Sequence, residues 1–133
     1  MTTSPFECWL QRYGKAWEAG SPEDALCLFS ADARYFETPF DPPMVGHGAI
    51  REYWTEGAKN SQTDIRFTAQ PITYDGRIGY ALWHASFVRV ASGVHVELDG
   101  VLSAQFDSQM QCVVFKEWWH RRETDGNTVN PRA

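Results

Sequence analysis

From Pro5 to Ala19 the apolar residues Phe6, Trp9, Leu10, Tyr13, Ala16 and Trp17 recur three and four positions apart, with polar residues between them. That spacing predicts an amphipathic helix with one buried face. Ser4 stands where a side chain caps the first turn, Pro5 takes the first helical position, and Gly20 ends the run. Ser21-Pro22-Glu23-Asp24 opens a second, short helix whose apolar side is Ala25, Leu26, Leu28 and Phe29. A third helix is expected to start near His47, with Ile50, Tyr53 and Trp54 on one stripe. Between the second and third lies YFETPFDPPMVGHG, rich in proline and rings. Pro39, Pro42 and Pro43 fix backbone angles and restrict the unfolded chain, so this stretch reads as a pre-set loop walling one side of a cavity.

Beyond Ser61 the period changes to two. Residues 63–74, 77–91, 94–106 and 110–122 read as strands separated by turn signals at Asp75-Gly76, Ser92-Gly93 and Asp107-Ser108. In VHVELDGVLSAQF, Val94, Val96, Leu98, Leu102, Ala104 and Phe106 share one face and His95, Glu97, Asp99, Ser103 and Gln105 the other. Gly100 falls on the apolar side, where it permits a bend or the close approach of a ligand. Three helices followed by a four-strand meander predict an α+β domain with helices laid across one face of an antiparallel sheet. No repeat or linker divides residues 1–133; the expected core is about 5–122, and 124–133 form a polar tail.

Composition narrows the function. Aromatics make up 14% of the 133 residues, six of them Trp, which favours a ring-lined cavity or an interface. The net charge of −5, without a run of Lys or Arg, argues against nucleic acid and anionic membranes as partners. No apolar run approaches membrane-spanning length and the start lacks signal-peptide character. Cys8, Cys27 and Cys112 are odd in number and widely spaced, which reads as buried, reduced thiols in a cytoplasmic protein. His47, His84, His95 and His120 show no ligand spacing, so no metal site is expected. Phosphate loops and nucleotide fingerprints are absent, so no cofactor is expected, and Ser86 and Ser103 lack a nucleophile-elbow context.

Tyr13, Gly20, Phe29 with Asp32-Ala33, Glu37-Thr38-Pro39-Phe40, Pro42-Pro43 with Gly46, Tyr53-Trp54, Leu98-Asp99, Phe106-Asp107 and Trp118-Trp119 form a recognisable series. Over residues 5–120 the chain resembles the nuclear transport factor 2-like superfamily (cystatin-like α+β fold), in its SnoaL-like and ketosteroid-isomerase-like branch. The resemblance implies three helices packed on a strongly curved, mainly antiparallel sheet that forms a cone with a hydrophobic cavity. A ketosteroid isomerase of this kind would carry a tyrosine on the first helix, a carboxylate base in the proline loop and a protonated acid on a long strand. The tyrosine is kept as Tyr13, but the base position falls on Thr38 and the strand acid on Leu102, so isomerisation by that route is not expected.

The same resemblance turns Val113, Phe115, Glu117 and Trp119 of the last strand toward the cavity. Glu117 would then lie among rings, where desolvation raises its pKa and suits it to acid/base work with Tyr13. Alternatively it pairs structurally with Arg89, which shares a face with Trp83 and Phe87. The remaining expected cavity residues are Trp17 on the first helix, Phe36, Thr38 and Phe40 in the proline loop, Tyr53 and Trp54 on the third helix, and Leu102. Leu82, Val88, Val90, Val101, Val114 and Trp118 would face outward, which predicts a homodimer through the outer sheet face. Two functional classes follow. One is a cofactor-independent isomerase, cyclase or dehydratase acting by proton transfer on a small hydrophobic cyclic or aromatic molecule. The other is a non-catalytic ligand-binding or dimerising accessory domain.

Overall fold

Helix α1 (Pro5–Glu18) starts in a capping box. The Ser4 hydroxyl accepts from the Glu7 amide at 3.1 Å, and the Glu7 carboxylate accepts from the Ser4 amide at 3.4 Å. The helix stops where Gly20 takes φ of +61°, which side-chain-bearing residues rarely adopt. Its apolar stripe is buried from Phe6 to Trp17, each large ring contributing about 1.5–3 kcal/mol of transfer free energy. The computed structural model describes residues 3–124, so of the predicted tail only Thr124 is placed, pairing with His95, and residues 125–133 lie outside the described residues.

Helix α2 (Pro22–Leu26) is shorter than its apolar pattern implies. Phe29 does not extend it but begins strand β1 (Phe29–Phe36), in which Phe29, Ala33 and Tyr35 are buried. A two-residue strand β2 (Met44–Val45) pairs antiparallel with β1 and leads directly into α3 (Gly46–Trp54). His47 fastens that junction, its Nε2 lying 2.8 Å from the Phe29 carbonyl oxygen. A single π-helical turn, Thr55–Lys59, continues α3. The four long strands follow as β3 (Gln62–Tyr74), β4 (Ile78–Arg89), β5 (His95–Phe106) and β6 (Cys112–Thr124).

The sheet therefore has six strands, in the order β2-β1-β6-β5-β4-β3, and not the four of the predicted meander. All neighbours are antiparallel except β1 and β6. The sheet is curved and unclosed, and the three helices pack on its concave side to give the α+β cone. Gly100 is paired between Trp83 and Trp119. A Cβ there would sit 2.0 Å from the Trp118 carbonyl oxygen and 2.8 Å from the Trp119 Cα. Gly100 thus admits the neighbouring backbone, not a ligand.

On the convex face Leu82, Val101 and Trp118 form one cross-strand row, with Trp118 43% exposed. The next row is His84, Asp99 and His120, in which His84 Nδ1 lies 3.2 Å from the Asp99 carboxylate. Of the cysteines only Cys112 is buried; Cys8 and Cys27 are exposed, because they occupy the outward sides of α1 and of the α2 C-terminus. None of the described helices is long and apolar enough to cross a membrane.

Candidate functional site

Between α1, α3 and the concave sheet lies a cavity of about 410 Å³, within the size range of drug-sized ligand sites. Tyr13, Trp83 and Trp119, from three separate elements, all line it. Period-two alternation along β4 delivers Trp83, Phe87 and Arg89 to this side, and along β6 it delivers Glu117, Trp119 and Arg121. Helix α3 supplies Tyr53 and Trp54 from its last turn, directly before the π-helical turn that brings Glu56 and Gly57 to the cavity. Such turns recur at functional sites because they displace the chain locally without ending the helix.

Glu117 is 6% exposed and receives a hydrogen bond from the Tyr13 hydroxyl, which lies 3.1 Å from Oε2. The Tyr13 and Tyr35 hydroxyls are 3.0 Å apart. Since the Tyr13 proton is directed to Glu117, the compatible arrangement has Tyr35 donating to Tyr13. Burial pushes the Glu117 pKa up to about 8; the Tyr13 hydrogen bond opposes the rise and the Glu37 charge adds to it. Tyr13 and Tyr35 are raised well above the usual phenol range, first by burial and then by the Glu117 charge. At neutral pH the cavity floor is therefore a neutral carboxylic acid joined to two neutral phenols.

Phe115 is fully buried beneath this chain, its ring centroid 4.7 Å from that of Tyr35 and 5.3 Å from that of Tyr13. Leu102 is fully buried opposite Glu117 on β5 and also packs under the cavity without lining it. Above, the Tyr53 hydroxyl donates to Glu37 at 2.7 Å, and the Trp119 indole donates to the Glu37 carbonyl at 3.1 Å. Trp17 lines the wall and donates to Gln62 at 2.7 Å. Arg89 does not pair with Glu117. It binds Glu123 at 3.0 Å, as does Arg121 at 3.2 Å, so the rim is charged and the floor is not.

Three expected loop residues lie elsewhere. Phe40 is 94% exposed, Phe36 stands beneath the Lys116 ammonium at 5.4 Å, and Thr38 donates to Asp41 at 3.2 Å in an exposed turn. The cause is parity: buried Ala33 and Tyr35 set the inward side of β1, which continues to Glu37 and excludes Phe36 and Thr38. Tyr35 and Glu37 are the cavity residues that sequence reasoning passed over. The signal was present in the alternation of Ala33, Tyr35 and Glu37 once the segment is read as a strand.

The architecture and the ring-lined hollow define an α+β cone with a small-molecule-sized cavity. Residues 10–110 match the SnoaL-like domain family, and the chain belongs to it, within the nuclear transport factor 2-like superfamily. A comparison with curated protein sequences finds no match. Among solved structures, Δ5-3-ketosteroid isomerase from Mycobacterium sp. is similar with a TM-score of 0.78 at 15% identity, over 92% of this chain and 100% of that one. SalBIII, described as an epoxide hydrolase/cyclase-like enzyme in pyran ring formation in the polyether salinomycin, aligns with a TM-score of 0.75 at 13% identity, covering 86% and 89%. A computationally designed 17-OHP binder aligns with a TM-score of 0.80 at 13% identity, covering 92% and 100%. At these identities the likeness establishes the fold alone.

Proposed function

We propose that this protein is a cofactor-independent enzyme in which Glu117 moves a proton to or from a hydrophobic cyclic or aromatic substrate. The observation that carries the proposal is the buried Glu117 carboxyl on the cavity floor, bonded by Tyr13 and holding its proton at neutral pH. With Tyr13 donating to Oε2, the acid proton is free to sit on Oε1 and to meet a carbonyl or hydroxyl oxygen of the substrate. When that proton is given up, the Tyr13 hydrogen bond stabilises the carboxylate, and Tyr35 stabilises Tyr13 in turn. Protonation at oxygen initiates isomerisation, dehydration or ring closure, and the similar structures include an isomerase and a cyclase-like enzyme. Trp17, Trp83, Phe87 and Trp119 would hold the apolar body of the substrate.

A second reading, ligand binding without turnover, is favoured by Thr38 and Leu102 standing where an isomerase of this fold would carry its other two acids. The exposed row of Leu82 and Trp118 supports a homodimer through the convex face. Binding is tested by thermal shift with hydrophobic ring ketones, 17-hydroxyprogesterone among them, because a ligand that binds the folded state raises the melting temperature. Glu117→Gln then separates the two readings. Turnover of a substrate found in the panel should be lost while its Kd changes less than about threefold, well under the tenfold that 1.4 kcal/mol would give. Turnover that survives the substitution would make Glu117 structural.

A further inference from the structure

Glu117, Trp119 and Arg121 of β6 line the cavity one after another, and Glu123 follows on the same side by alternation. Pairing puts each in its own cross-strand row: Ala81-Leu102-Glu117, Trp83-Gly100-Trp119, Ala85-Leu98-Arg121 and Phe87-Val96-Glu123. Arg89 comes next on the inward side of β4, its guanidinium carbon 6.0 Å from the centre of the Phe87 ring. Acid, rings and cations therefore succeed one another from floor to mouth. With about 3.3 Å of strand per residue, the Arg121 Cα stands about 13 Å along β6 from that of Glu117.

Two guanidinium groups at this mouth share one carboxylate. The Arg89 Nη2 donates to Glu123 Oε2 at 3.0 Å, and the Arg121 Nε lies 3.2 Å from the same oxygen. Among the described residues neither arginine has a second acidic partner, so the corner keeps an excess of positive charge. Each guanidinium also carries further N–H donors in the planar fork that suits an oxyanion. Partly exposed ion pairs contribute little to stability, so fastening the sheet does not account for both cations standing over an apolar hollow. The other charged lining residues, Glu37 held by the Tyr53 hydroxyl and Glu56 on the π-helical turn, pair with neither arginine. We infer that the substrate is an anionic amphiphile, with its ring body against Trp83, Phe87 and Trp119 and a carboxylate or comparable oxyanion at its outer end bound by Arg89 and Arg121. β6 then acts as a ruler, holding the anionic group about 13 Å along the strand from the acid that reacts. This assignment rests on the cavity being the small-molecule site proposed above, and it adds the substrate's charge and where that charge lies.

Two dyes of one skeleton test it: 8-anilinonaphthalene-1-sulfonate and N-phenyl-1-naphthylamine, which lacks the sulfonate. Kd is read from dye fluorescence with the full-length protein, and the Trp119 indole 15N–1H signal reports whether each dye occupies the cavity. Arg89→Gln combined with Arg121→Gln should weaken the sulfonate about tenfold and the neutral dye less than about threefold. Glu123→Gln should act in the opposite direction, tightening the sulfonate about threefold because both cations lose their partner within the chain. A merely structural ion pair would not produce that gain, and this arm stands even if the double variant fails to fold. Added salt should weaken the sulfonate alone. Equal losses for the two dyes in the double variant, or no gain with Glu123→Gln, overturn the inference and leave the cavity reading intact. So does a wild-type protein that takes the neutral dye and refuses the sulfonate. Should neither dye bind, or neither move the Trp119 signal, the small-molecule reading itself fails and the inference falls with it.

Discussion

Glu117 is enclosed by rings and meets one phenol, and this decides its protonation. Desolvation penalises the carboxylate more than one hydrogen bond repays, so the folded state keeps a proton that the unfolded chain releases near pH 4.5. The sign of the pH dependence follows. A carboxyl whose folded pKa is raised contributes its full stability below about pH 4.5, and that contribution is lost as pH rises toward about 8. In this window the slope is about 1.4 kcal/mol per pH unit for one proton. Urea denaturation across it should therefore show falling stability for the wild type and a visibly flatter profile for Glu117→Gln. Tyr13→Phe removes the hydrogen bond that lowers the Glu117 pKa and should raise that pKa further, at a stability loss of about 1–3 kcal/mol from the unpaired groups left behind. As a general acid, Glu117 also predicts a reaction rate that declines as pH rises through about 8, and a rate rising there would assign it the role of base. The shared face of Trp83, Phe87 and Arg89 was legible because long strands alternate, and the inward register of Glu117 was implied by the resemblance to the superfamily. The Tyr13 partnership was not legible, since it joins residues 104 positions apart through side-chain geometry alone.

At the scale of elements, the helices and the four long strands were readable from caps, periodicity and turn residues. The capping box at Ser4 and the stop at Gly20 are local chemistry, visible in the sequence and realised in the fold. Strand β1 was not readable. Its first residues continue the apolar pattern of α2, and only pairing with β6, some 80 residues later, makes the segment extended. Taking it as a loop placed Phe36, Thr38 and Phe40 on the cavity and left out Tyr35 and Glu37, a displacement of one residue that exchanges the faces. Gly100 shows the converse case, a residue whose position was visible but whose role needed the neighbouring strand. Gly100→Ala would drive a methyl group into the Trp118 carbonyl, where backbone and not a flexible side chain must give way. The expected cost is about 3 kcal/mol, at the upper end of ordinary overpacking, read as a drop in the urea midpoint. A variant as stable as the wild type would mean that β6 has freedom to move away.

For the molecule as a whole, the cone separates an aromatic interior from a convex face that is too apolar at its centre to suit water alone. Leu82, Val101 and Trp118 lie in register across three strands, with polar neighbours at His84, Asp99 and His120 on one side. If this row is the proposed dimer contact, analytical ultracentrifugation should find a dimer for the wild type and a monomer for Trp118→Lys combined with Leu82→Lys. A wild-type monomer would remove the dimer from this account while leaving the cavity untouched. Helices laid on an antiparallel sheet were legible in helix spacing and strand alternation, whereas the strongly curved cone was implied by the resemblance to the superfamily. Which side chains meet at the floor was not legible, because hydrogen-bond partners depend on rotamers and on the depth of the cavity.

The central claim is that an uncharged carboxylic acid sits on the cavity floor at neutral pH. The most direct measurement is a pH titration of the Glu117 side-chain carboxyl followed by its 13C resonance, assigned by its absence in Glu117→Gln. A midpoint near 8 is the result expected. A midpoint in the ordinary carboxylate range, about 4.3, would contradict it and leave the protein without its proton donor.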